Sequence, residues 1–132
     1  MTHAEDGDAT VDDHLRQLLI EELHRARHGY GLAAEFAGEG SEFSPSCGDA
    51  VTVRVGPHGF SWEGNGCAVS MAAASALGAT SVDDYLASVA PGAPVVPGEL
   101  EPFAGIGRFP LRARCATLAW RAARTALAAA DA

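Results

Sequence analysis

The chain has 132 residues, 48% of them apolar, which is ample for one compact core and short for two. Its formal net charge of -8 argues against a nucleic-acid partner, because phosphate binding needs a basic stripe and this surface repels the backbone. All nine cations are arginines, so a Walker A phosphate loop and lysine Schiff-base chemistry are both excluded.

The charge is unevenly spread. Residues 1–24 carry Glu5, Asp6, Asp8, Asp12, Asp13, Glu21 and Glu22 against Arg16, whereas Arg108, Arg112, Arg114, Arg121 and Arg124 cluster near the other end. No stretch reaches the roughly 20 apolar residues of a membrane span, and no basic-then-apolar leader opens the chain, so a cytoplasmic protein is expected. In that reducing compartment, three cysteines point to metal or thiol chemistry in preference to disulfides.

In chain order, residues 1–9 are small, polar and acidic, and are expected to be a disordered arm ahead of a single domain over 10–130. Thr10 reads as a helix N-cap followed by the acids Asp12 and Asp13. Val11, Leu15, Leu18, Leu19 and Leu23 then keep helical spacing to about Arg25, and Gly29 and Gly31 end the helix. Leu32 to Phe36 is a weak strand candidate. Val51, Val53 and Val55 alternate with Thr52 and Arg54, and Gly56-Pro57-His58-Gly59 turns them into Phe60 to Glu63, giving an antiparallel hairpin over 50–63. Gly64 to Gly66 reads as a tight turn. The alanine-rich run from Cys67 to Leu77 follows as a helix, with Gly78 as its C′ residue. Ser81-Val82-Asp83-Asp84 opens a further short helix, and Pro91 to Gly98 is a loop. A last helix from about Leu111 to Ala129 places Leu111, Cys115, Leu118, Ala119 and Ala122 on one face.

Three local settings hold the cysteines: Cys47-Gly48-Asp49, Gly64-Asn65-Gly66-Cys67 and Arg112-Ala113-Arg114-Cys115-Ala116. Three thiols and one carboxylate complete a tetrahedral ligand set for zinc. Cys47 and Asp49, two apart in extended backbone, point to one side and are able to share an ion. Cys67 falls at a helix start, where the helix dipole favours an anion. Cys115 lies on an apolar helical stripe with Arg112 and Arg114 at its rim. Four ligand charges against a divalent ion leave -2, which these two arginines are placed to offset from a second layer around the metal.

The plainer alternatives stay open on the residues alone. A lone buried cysteine is usually a small hydrophobe, an Asp after Gly is an ordinary turn, and no spacing matches a C-x-x-C knuckle. A Cys67 nucleophile with a histidine as its base is a further option, which leaves Asp49 and two cysteines unexplained. His3, His14, His24, His28 and His58 are scattered, with His58 exposed at a turn. Ser70 and Ser75 sit inside a helix with no nucleophile elbow.

Taken together and in order, the words Cys47-Gly48-Asp49, Gly64-x-Gly66-Cys67-Ala-Val-Ser-Met-Ala-Ala-Ala-Ser75 and Arg112-x-Arg114-Cys115-Ala116-x-Leu118-x-Trp120 resemble those of the IscU/NifU-like iron-sulfur cluster assembly proteins. The resemblance spans about residues 11–128, and Arg114, where IscU-type scaffolds usually carry histidine, favours the SufU-type branch. It implies an α+β fold, a small antiparallel sheet covered by helices, with the metal or cluster site at one end. It further implies zinc, or alternatively a transient [2Fe-2S] cluster, held by Cys47, Asp49, Cys67 and Cys115. The implied role is a sulfur acceptor in iron-sulfur cluster biogenesis, with Cys47 taking persulfide sulfur from a SufS-like, PLP-dependent cysteine desulfurase and passing it to downstream assembly proteins. Such a protein is an acceptor or scaffold more than an enzyme, at most a zinc-dependent sulfurtransferase. A cluster scaffold and a structural zinc domain without a transfer role are the alternatives.

Overall fold

A computed structural model of the chain describes residues 14–15, 17–45, 48–89 and 110–131. The acidic arm, the Thr10 cap and the Pro91–Gly98 loop lie outside the described residues. Three antiparallel strands, β1 (Gly38–Ser44), β2 (Asp49–Gly56) and β3 (Gly59–Asn65), form one sheet in the order β1-β2-β3. A helix over residues 17–26, α1, precedes the sheet. Then come α2 (Ala68–Ser75), α3 (Val82–Ser88) and α4 (Pro110–Asp131). The α+β architecture and the hairpin agree with the sequence expectation, as do the three later helices. Among the described residues no helix is long and apolar enough to cross a membrane.

The register fixes which side chains share a face. Gly40 pairs with Val53 and Val53 with Trp62, while Ser44 pairs with Asp49. By strand alternation, Val51, Val53, Phe60 and Trp62 line the same side as Gly38 and Gly40. On that side lies α4. A Cβ on Gly38 would run into the carbonyl oxygen of Ala126, and one on Gly40 into that of Ala122, so β1 is built to let a helix backbone touch it.

The helical layer is tied together through the long helix. The Trp120 indole nitrogen donates to the Ala73 carbonyl at 2.8 Å, and the Tyr85 hydroxyl donates to the Ala116 carbonyl at 2.6 Å. The Tyr85 and Trp120 rings stack with centroids 4.0 Å apart. Trp62, Trp120 and Tyr85 are fully buried. Aromatic side chains of this size remove about 150–250 Å² each from water, roughly 4–6 kcal/mol apiece before entropy is subtracted. Burial also raises the Tyr85 phenol far above its ordinary value.

Three expectations need correction. First, Leu32–Phe36 is not a strand. Gly31 N donates to Trp62 O at 2.8 Å and Trp62 N to Gly29 O at 3.0 Å, so the edge of β3 takes only a one-residue parallel bridge at Tyr30. Second, β1 is a strand beyond those expected: its Gly-Glu-Gly-Ser-Glu-Phe-Ser sequence shows no apolar alternation, because Gly38 and Gly40 face inward as glycines and Glu42 and Ser44 follow as polar residues. Third, the first helix buries Ile20 and half-buries Leu19 and Leu23, while Leu15 and Leu18 stay 49% and 46% exposed. The packed stripe is therefore rotated from the predicted one. That helix ends at Arg27, whose φ of 48° puts it in the left-handed region and whose N–H returns to Leu23 O at 3.1 Å.

Candidate metal centre

One end of the sheet gathers the start of β2, the start of α2 and the first turns of α4. Asp49 opens β2 and is buried. The preceding Gly48 has φ +75° and donates its N–H to Ser44 O at 2.7 Å, closing the turn that leads into the strand. A Cβ at Gly48 meets nothing within 4 Å, so the backbone angle requires glycine there and space does not. Gly66 is the opposite case. A Cβ on it would lie 3.0 Å from Asp49 Cγ and 3.0 Å from Ser70 Cβ, so its missing side chain makes room for the carboxylate.

Cys67 is the N-cap of α2 in extended backbone, and its side chain makes no capping bond to the helix, which leaves the thiol for other partners. Its N–H points at Asp49 Oδ2 from 3.3 Å. Ser70, one turn along the same helix and buried, donates its hydroxyl to the same Oδ2 at 2.5 Å and sits 3.6 Å from Cys67 Sγ. Cys115 reaches the same place from α4 and is buried, whereas Cys67 is exposed.

The ligating atoms of Asp49, Cys67 and Cys115 all lie within 4.8 Å of one another. A tetrahedral ion with bonds of about 2.0–2.3 Å separates its ligands by roughly 3.3–3.8 Å, so the trio needs to close by no more than about 1.5 Å. Two thiols and one carboxylate suit zinc and suit an iron-sulfur unit equally well as a donor set. The predicted fourth donor, Cys47, lies outside the described residues, two positions from Asp49 in the chain. Arg112 and Arg114 are exposed on α4, flanking the inward-facing Cys115.

No histidine joins this group among the described residues. His14, His28 and His58 are exposed, His58 at its turn as expected, and His24 is half-buried. The Cys67/His nucleophile reading therefore gains no base from these residues. Ser70 is the site residue that sequence reasoning passed over. Its signal was the spacing Cys67-x-x-Ser70, which on a helix stacks the hydroxyl over the thiol.

No protein-family model matches the chain. The zinc-dependent sulfurtransferase SufU of Bacillus subtilis (strain 168) is 26% identical over 133 residues, 86% of this chain and 89% of that protein. The iron-sulfur cluster assembly scaffold protein IscU of Streptococcus pyogenes serotype M1 is 30% identical over 103 residues, 64% of this chain and 65% of that one. The fold matches the N-terminal part of a nitrogen-fixing NifU-like protein from Brucella abortus with a TM-score of 0.74, over 86% of this chain and 92% of that structure, at 20% identity. In sequence, in fold and in the Asp/Cys/Cys cluster at the sheet end, the chain is similar to the IscU-, NifU- and SufU-type iron-sulfur cluster assembly proteins.

Proposed function

We propose that this protein is a zinc-bound sulfur acceptor that takes persulfide sulfur from a PLP-dependent cysteine desulfurase for iron-sulfur cluster assembly. The observation that carries the reading is the convergence of Asp49, Cys67 and Cys115 from three different elements onto one ligand-sized space. Cys47, Asp49, Cys67 and Cys115 are the proposed ligands. When bound there, zinc keeps the thiolates deprotonated and in place.

The protein's own residues divide the work. Cys67 and Cys115, carried on helices, anchor the site, and Cys47, in its glycine-adjacent segment, is the thiol that acts. Its thiolate attacks the outer sulfur of the desulfurase persulfide. A new S–S bond forms on Cys47, the donor's S–S bond breaks, and the donor cysteine leaves as a thiolate, so neither electrons nor protons are gained overall. Arg112 and Arg114 offset the excess negative charge around the ligands. The acceptor then hands its sulfur to downstream assembly proteins. We place this in the cytoplasm and assign residues 10–130 to one domain with an acidic arm ahead of it.

The test combines metal content and colour of aerobically purified protein with mass spectrometry after incubation with a desulfurase and cysteine. A colourless, zinc-loaded protein that gains one sulfur atom on Cys47 supports transfer. A brown protein with iron and sulfide favours a [2Fe-2S] scaffold. Zinc retained with no added sulfur leaves a structural zinc domain.

A further inference from the structure

We propose that Ser70 is the positioning residue of this site: its hydroxyl locks the Asp49 carboxylate to α2, so that the oxygen donor of β2 and the thiol donor Cys67 move as one unit. The inference rests on the ligand assignment proposed above and adds a residue to it. Ser70 Oγ is nearly inaccessible, at 1% residue exposure, and its contact with Asp49 Oδ2 is 2.5 Å, in the range of hydroxyl bonds to ionised acceptors. A hydroxyl has one proton, and the shorter contact takes it. The 3.6 Å approach to Cys67 Sγ then keeps Ser70 between the two donors as a spacer.

The Cys67 N–H approaches the same oxygen from 3.3 Å, longer than a well-formed bond. Of these two contacts, the Ser70 hydroxyl is therefore the tighter hold on the carboxylate. Gly66 shapes the same spot, since a Cβ there would press on Asp49 and Ser70 together. The carboxylate is thus fitted between a glycine that leaves it room and a serine that fixes its direction. Outer groups that orient ligands commonly account for 10–100-fold in metal affinity.

Ser75 supplies the matched control. It lies on the buried face of the same helix, but its hydroxyl accepts the His28 N–H at 2.9 Å. We expect Ser70→Ala to bind Co²⁺ about 10–100-fold more weakly than the parent and to shift the visible d–d bands that report thiolate and carboxylate ligation. Ser70→Thr, which keeps the hydroxyl, restores the parent spectrum, and Ser75→Ala keeps both affinity and spectrum. Parent-like cobalt affinity and bands in Ser70→Ala overturn the inference while leaving the metal site standing. So does an equal loss in Ser75→Ala, which would mean that α2 had simply loosened. A parent that gives no thiolate–cobalt bands removes the ligand assignment and this inference with it. Should Ser70→Ala not fold, NMR of the unaltered protein decides: a slowly exchanging Ser70 hydroxyl proton that moves on zinc addition supports the role, and a rapidly exchanging one overturns it.

Discussion

Replacing Gly40 by alanine tests whether the contact between β1 and α4 sets the position of the candidate metal centre. A methyl group at Gly40 runs into the Ala122 carbonyl oxygen and also lies 2.7 Å from Thr125 Cβ and 2.8 Å from Ala126 N. Two of these three are helix backbone atoms, which have no rotamer in which to escape. Relief must come from parting strand and helix. Over-filling a packed contact costs about 1–3 kcal/mol, and an obstruction made of backbone belongs at the upper end of that range. For a domain of this size about 3–4 °C of Tm accompanies each kcal/mol, so the expected fall is roughly 10 °C. Because α4 carries Cys115 as well, cobalt affinity of the folded variant should drop with it. The control is Ser41→Ala, the next residue on the outward face, where a hydroxyl shared with Thr52 Oγ1 at 2.8 Å is exposed and worth under about 0.5 kcal/mol. Thermal melts followed by far-UV circular dichroism measure both. A Gly40→Ala protein melting within about 2 °C of the parent would refute the reasoning, since the strand–helix contact would then have slack.

Gly66→Ala should act at the site and leave the fold nearly intact, because Gly66 needs space and has no positive φ. About tenfold weaker zinc binding in a chelator competition is expected, and unchanged affinity would show that the carboxylate has room to shift. Arg114→Ala should weaken zinc retention to a similar degree if its charge offsets the ligands, so an unaltered zinc affinity removes that role. Tyr85 gives a pH prediction with a definite sign. Its phenol is raised by burial, whereas in the unfolded chain it titrates near about 10, so the stability it contributes is complete below that pH and is lost as pH climbs above it. Tyr85→Phe should lose about 1 kcal/mol at neutral pH, from the missing bond to Ala116, and should decline less steeply in alkaline melts; an identical alkaline slope contradicts the assignment.

Much of the fold was legible in the sequence because its signals are local. Val51, Val53 and Val55 announce a half-buried strand, Gly56 to Gly59 a two-residue turn, and Ser81 an N-cap that indeed accepts the Asp84 N–H at 3.1 Å. What escaped is governed by distant partners. β1 carries no apolar pattern, since Gly38 and Gly40 are there to admit the backbone of a helix that arrives some eighty residues later. The helix over 17–26 misled in the other direction. Leu15 and Leu18 keep helical spacing with Leu19 and Leu23, yet the docked face turns toward Ile20 and leaves Leu15 and Leu18 exposed, a rotation set by the core.

The site shows the same division more sharply. Spacings of 20 and 48 positions between cysteines carry almost no weight, and only the short words around each one pointed to a common centre. Two glycines in those words look alike on paper but do different jobs. Gly48 is needed for its left-handed backbone, which turns the chain into Asp49, and Gly66 for the volume that the Asp49 side chain occupies. The difference separates what each substitution should damage. Alanine at Gly48 strains the turn, at a cost of order 1 kcal/mol, without touching a neighbour, whereas alanine at Gly66 spares the backbone and presses on the Asp49 carboxylate. A candidate metal centre assembled this way depends on shape at one glycine and on conformation at the other. Comparing the two alanine variants by stability and by zinc affinity therefore tells whether the cluster is held by the turn that delivers Asp49 or by the cavity that receives it.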